Sequence, residues 1–146
     1  MTNHRKTLES ARLIVIKLGS GVLSRIDGGL NAGRIRHMAQ QVSFLRRQKR
    51  RVVMVSSGAI SAGMGRLGLR RRPAGISDLQ ACAAVGQNLL MAGYERAFQR
   101  LGLTVGQILL THEDLRHLER RKNARHTLLR LLQRGVVPII NENDAV

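Results

Sequence analysis

The chain has 146 residues, 43% of them hydrophobic, which suffices for one folded domain with its own core and argues against a disordered tail. Its formal net charge of +16 points at first sight to nucleic acid, yet there is no Trp, one Tyr (Tyr94) and two Phe (Phe44 and Phe98), too few platforms for base stacking, so no specific nucleic-acid partner is expected. A lone cysteine, Cys82, builds no disulfide framework, no run reaches membrane-spanning length, and the apolar run after Arg5 and Lys6 is short and cut by Lys17, unlike a secretory signal; a soluble, cytoplasmic protein without membrane association is the expectation.

In chain order, Leu13 to Leu18 reads as a first strand, closed by the turn Gly19-Ser-Gly21 and a polar loop around Asp27-Gly-Gly29. Asn31 is placed to cap a helix whose apolar positions Ile35, Met38, Ala39, Val42 and Leu45 follow helical spacing. The basic cluster Arg46, Arg47, Lys49, Arg50 and Arg51 closes that helix, where cations complement the carbonyl end of its dipole. Val52 to Val55 has the β-branched composition of a strand covered on both faces, and Ser56-Ser-Gly58 breaks it. A helix beginning near Ser57 should end by Gly68, because Arg70 to Arg72 and Pro73 continue it poorly; the loop that follows is a candidate flap. Ser77 opens a long helix to about Leu101, with Leu79, Ala83, Leu90, Ala97 and Leu101 towards the core and Gly86 and Gly93 where another element packs closely. Thr104 to Leu110 is a third strand. Thr111-His-Glu-Asp114 has capping-box form, a further helix runs from Asn123 to Arg134, and Gly135 stops it. Val136 to Ile140 is a fourth strand, in which Pro138 suggests an edge, a bulge or a bend.

Strands alternating with helices imply βαβ crossovers, hence an α/β fold: a three-layer α/β/α sandwich around a mostly parallel sheet. In such sheets ligands bind beyond the carboxyl ends of the strands. Lys17 with Gly19 and Ser20 ends the first strand, Ser56-Ser-Gly58 the second, and Asn141-Glu-Asn-Asp144 the fourth. Parallel strands bring these clusters to one rim, where a lysine, glycine turns, the free N–H groups of a helix start and an amide–carboxylate cluster suit an anionic, hydrogen-bonding substrate beside a polyphosphate. Each cluster alone has a plainer reading: a lysine ending a strand in solvent, a capping serine, a loop of turn-forming residues. Gln87 and Gln107 are within reach of the rim, although satisfied polar groups on a helix and a strand explain them too. His37, His112, His117 and His126 show no metal-ligand spacing, so no metal site is expected in the protein itself.

The segments Ile16-Lys-Leu-Gly-Ser20, Val55-Ser-Ser-Gly-Ala-Ile60, Ala83-Ala-Val-Gly-Gln87, Gly106-Gln-Ile-Leu-Leu-Thr111, Asn123-Ala-Arg125 and Val137-Pro-Ile-Ile-Asn-Glu-Asn-Asp144 together resemble the amino acid kinase family, specifically its glutamate-phosphorylating branch. The resemblance implies phosphoryl transfer from ATP, with Mg²⁺, to the side-chain carboxylate of L-glutamate, giving glutamyl 5-phosphate at the start of proline synthesis. It further implies that Lys17 is catalytic and, with Gly19 and Ser20, meets the ATP phosphates, while Ser57, Gly58, Asn141 and Asp144 hold glutamate. Gly21 departs from the Ser or Thr of many members. The resemblance implies a flexible leader over residues 1–11 and, over 12–146, the amino-terminal, glutamate-binding part of an amino acid kinase domain without the nucleotide-binding half. Such a part is expected to turn over little alone and to form a homo-oligomer or associate with a carboxyl-terminal half. The alternatives are a non-catalytic remnant or regulatory subunit binding glutamate, proline or a full-length kinase and, more weakly, a basic interaction module.

Overall fold

The computed structural model describes residues 9–25 and 29–146. The loop expected around Asp27 and residues 1–8 of the expected leader lie outside the described residues. Four strands, β1 (Leu13–Lys17), β2 (Arg51–Val55), β3 (Val105–Leu110) and β4 (Val137–Glu142), form one sheet in the order β1-β2-β4-β3 with every pairing parallel. Between them run α1 (Ser20–Leu23), α2 (Ala32–Arg47), α3 (Ala59–Arg66), α4 (Ile76–Gln99), α5 (His112–Arg116) and α6 (Leu118–Gln133).

Strand periodicity assigns the two faces. Val52 and Met54 of β2, with Val137 and Ile139 of β4, pack with Ile35, Ala39 and Val42 of α2 and Leu90, Tyr94 and Phe98 of α4 in one core. The alternate residues point to the opposite face. There Gly106 is the register partner of Pro138, and a Cβ on Gly106 would meet Leu131 of α6 at 3.2 Å. Helices therefore cover both faces, and the three-layer architecture expected from βαβ alternation is the one found. The cover is incomplete over β1, whose Ile16 packs against the core while Leu13 and Val15, facing the other way, are 42% and 61% exposed.

Local chemistry explains the element ends. The Asn31 side chain accepts from the Arg34 N–H at 3.1 Å, the expected N-cap of α2. Arg46 and Arg47 fill the last turn of α2, and Lys49 takes the left-handed position (φ 60°) after it, usually a glycine role. Thr111 caps α5 by a complete box: Thr111 N–H donates to Asp114 Oδ2 at 2.8 Å and Asp114 N–H to Thr111 Oγ1 at 3.2 Å. The hydrogen bonds from the Thr111 backbone and hydroxyl, with a lesser contribution from Arg120, hold the Asp114 carboxyl below its ordinary value. The stability this adds is present above that ordinary value and lost as pH falls through the depressed one.

Three expectations are corrected. The sixth helix starts at Leu118, not Asn123, because His117 serves at once as the end of α5 and the N-cap of α6. The Gly19-Ser-Gly21 turn is a one-turn helix with Gly19 as its N-cap. Pro138 lies in an interior strand. Val137 N–H donates to Thr104 O and Ser56 N–H to Ile140 O, so even-numbered residues of β4 turn their backbone towards β2. The missing Pro138 N–H thus faces β2, and the β2–β4 register begins only after it, at Ile139.

Candidate functional site

The carboxyl ends of β1, β2 and β4 open into one cavity of about 470 Å³, and Lys17, Ser20, Ser57, Gly58, Asn141 and Asp144 all line it. Three clusters separated by up to 127 positions in the chain thus meet at one rim, because parallel pairing puts the same end of each strand on the same side. Gly19 is not on the cavity wall; it caps α1 with its Cα facing open space.

Each side chain is positioned by its element. Lys17 is the last residue of β1 and is exposed. At the end of β2 the two serines diverge: Ser56 is 5% exposed, its hydroxyl is 2.9 Å from the Tyr94 hydroxyl, and its N–H donates to Ile140 O at 2.7 Å. Burial pushes the Tyr94 hydroxyl up to about 12, an effect the Ser56 hydrogen bond partly offsets, so Tyr94 remains a neutral strut. Ser57, one residue on, lines the cavity, as Ser56 also does. The residue that caps α3 is Gly58, not a serine, at φ 104°, a backbone conformation that disfavours a Cβ. No side chain occupies the α3 N-terminus, so its N–H groups remain available at the cavity wall.

Asn141 lies within β4, 3% exposed, and its Nδ2 donates to Gln87 Oε1 of α4 at 2.7 Å. Gln87 therefore supports the rim from below, while its buried Nε2 has no partner among the described residues. Gln87 and Gln107 also line an adjoining cavity of about 230 Å³ that shares Glu142 and Asp144 with the first. Burial raises the Asp144 carboxyl above its ordinary value and Glu142 adds to the shift, while Arg72 acts against both.

Sequence reasoning did not single out Arg72, Ser61 or Glu142 as wall residues. Arg72 was legible only as a member of a basic run; its approach to the rim comes from the loop between α3 and α4. A third cavity, of about 220 Å³, lies between α2 and α4, with Ile35, Arg36, Arg96 and Arg100 among its lining, and shares no lining residue with the first. Among the described residues no group of three His, Cys, Asp or Glu side chains is arranged to hold a metal ion, and no helix is long and apolar enough to cross a membrane.

These features define an α/β domain with a polar, charge-bearing cleft at the carboxyl end of a parallel sheet, the usual place for a ligand in this architecture. Residues 12–146 match the amino acid kinase family, and the chain belongs to it. It is 50% identical over 146 residues to a glutamate 5-kinase of Nitrosococcus oceani, an alignment covering 100% of this chain and 39% of that protein. It is 51% identical over 142 residues to a glutamate 5-kinase of Azoarcus sp. strain BH72, covering 97% of this chain and 38% of the relative. With a glutamate 5-kinase of Symbiobacterium thermophilum the identity is 46% over 142 residues, 97% of this chain and 54% of the relative. The chain thus spans about two fifths of the length of the first two relatives and about half of the third.

Proposed function

We propose that the chain carries the glutamate-binding part of a kinase that transfers the γ-phosphoryl group of ATP to the side-chain carboxylate of L-glutamate, the first step of proline synthesis. The observation that carries this reading is the single cavity into which Lys17, Ser57, Gly58, Asn141 and Asp144 converge. The similarity to glutamate 5-kinases along the whole chain supports the choice of substrate.

The chemistry asks for positioning and charge neutralisation rather than covalent help. A carboxylate oxygen of glutamate attacks the γ-phosphorus in line, the bond to the β–γ bridging oxygen breaks, ADP leaves with that electron pair, and no proton need move. Lys17 lies where it can neutralise charge gathering on the transferred group, with Ser20 beside it. Gly58 lets the reacting carboxylate approach the free N–H groups of α3 without meeting a side chain, and Ser57 adds a hydroxyl donor. Asp144 is the counter-charge for the substrate ammonium, and Asn141, held by Gln87, supplies an amide alongside. Mg²⁺ would supply charge neutralisation between the phosphates. Glu142, the cavity-wall carboxylate not assigned to the substrate ammonium, is the residue that would help hold it.

The relatives are longer than this chain, so the test supplies the remaining part of such a kinase. The test is a coupled assay with glutamate, ATP and Mg²⁺, comparing the chain alone with the chain mixed with a separately produced carboxyl-terminal part of a glutamate 5-kinase. Activity is expected in the mixture, and Lys17→Met should lower its kcat roughly 10²- to 10³-fold. A silent mixture beside an active full-length control, or a Lys17→Met mixture as fast as the unaltered one, would overturn the assignment.

A further inference from the structure

We infer that Arg72, carried on the loop between α3 and α4, binds the α-carboxylate of the amino-acid substrate while Asp144 takes its α-ammonium, so that the two side chains together read the zwitterionic head group. This rests on the glutamate reading above and names a residue that the family resemblance did not supply.

The argument is one of charge matching. The cavity wall carries two cations, Lys17 and Arg72, and two carboxylates, Glu142 and Asp144. L-Glutamate brings two carboxylates and one ammonium. The side-chain carboxylate must lie with the phosphates at the Lys17 end, where charge builds during transfer. The ammonium finds its counter-charge in Asp144. That leaves the α-carboxylate beside Asp144 and Glu142, where it would be repelled unless a cation stood next to it. Arg72 is the remaining cation on the wall, and its charge already acts on the Asp144 carboxyl.

The backbone prepares Arg72 for this role. Pro73 disfavours a helical conformation at the residue before it, Arg72, which lies midway along the loop that Gly68 opens with φ 71°. Among the described residues the guanidinium has no hydrogen-bond or ion-pair partner, so its donor fork is free. Such a planar fork meets a carboxylate with two parallel hydrogen bonds, a geometry that a lysine ammonium does not reproduce. Arg70 and Arg71 share the loop but do not line the cavity, which makes Arg70 a control for charge alone.

The test is calorimetric titration of the 146-residue chain with L-glutamate and with 4-aminobutyrate, which is glutamate without its α-carboxylate. The unaltered chain should prefer glutamate. Arg72→Gln should weaken glutamate binding roughly 10- to 100-fold while leaving 4-aminobutyrate unchanged, and Arg72→Lys should recover only part of the loss. Arg70→Gln should change glutamate binding less than about twofold, the size of a screened surface charge effect. Equal losses for both ligands in Arg72→Gln, or equal losses in Arg72→Gln and Arg70→Gln, would reduce Arg72 to general electrostatics and overturn the inference. Undiminished glutamate binding in a folded Arg72→Gln chain would overturn it as well, with the glutamate reading intact. Failure of the unaltered, folded chain to bind glutamate would instead overturn that reading, and this inference with it.

Discussion

Ser56 and Ser57 are adjacent and chemically identical, yet they do different work because successive residues at a strand end face opposite sides of the sheet. Both line the cavity, but the Ser56 hydroxyl turns to the α4 side and meets Tyr94 at 2.9 Å. Tyr94, with no exposed surface, is in turn packed edge-on against Phe98 with ring centroids 6.3 Å apart. Tyr94→Phe keeps that ring contact and removes only the hydroxyl, so it should cost about 1 kcal/mol in urea unfolding. An unchanged midpoint would show that the hydroxyl pair contributes nothing net. None of this pairing is visible in the sequence, where a tyrosine 38 positions after a serine carries no signal. The Asn31 and Thr111 caps were legible because a cap and its partner lie within three residues of each other.

At the scale of elements, α3 and α4 pack so closely that two glycines become obligatory. A Cβ on Gly86 would overlap the Ala59 carbonyl oxygen, and one on Gly63 would overlap the Cys82 carbonyl. Neither obstacle is a flexible side chain, so relief requires the helices to part. Gly86→Ala should therefore destabilise the fold by about 3 kcal/mol or more, or abolish cooperative melting. At Gly93 the nearest atom is the Ile35 side-chain tip at 3.3 Å, which can yield. Gly93→Ala should fall within about 1 kcal/mol of neutral, since the gain in helix propensity offsets the tighter contact. Thermal melts of both variants decide the matter, and equal effects would show that close helix contact does not explain Gly86. The small residues at Gly86 and Gly93 were both readable as places of close approach. The difference between them was not, because it depends on whether the opposing atom is backbone or a mobile side-chain end. The α3–α4 pairing also sets where the intervening loop returns, and so brings Arg72 to the rim.

For the whole molecule, the covering of the sheet matters most. Among the described residues β1 has no strand on its outer side, and on the face opposite the core its Leu13 and Val15 are exposed. An apolar strand face beside a free edge favours pairing with another chain, while a net charge of +16 opposes it. Self-association should therefore rise with salt, as the repulsion is screened, and the double variant Leu13→Thr, Val15→Thr should suppress it. Sedimentation velocity at low and high salt would read this directly. A strictly monomeric unaltered chain under both conditions would show that this face is not adhesive.

The sequence by itself determined the strands and most helix boundaries, the parallel α/β class and the clusters that end β1, β2 and β4, because these follow from local periodicity, caps and turn residues. Tertiary structure decided the rest. The insertion of β4 between β2 and β3 gave Pro138 an interior place and set Asn141 against Gln87. The packing of α3 on α4 set the return of the loop between them, which carries Arg72 to the cavity. Such outcomes depend on which segments meet across long stretches of chain, and that is settled by the burial of whole faces, not by any short run of residues.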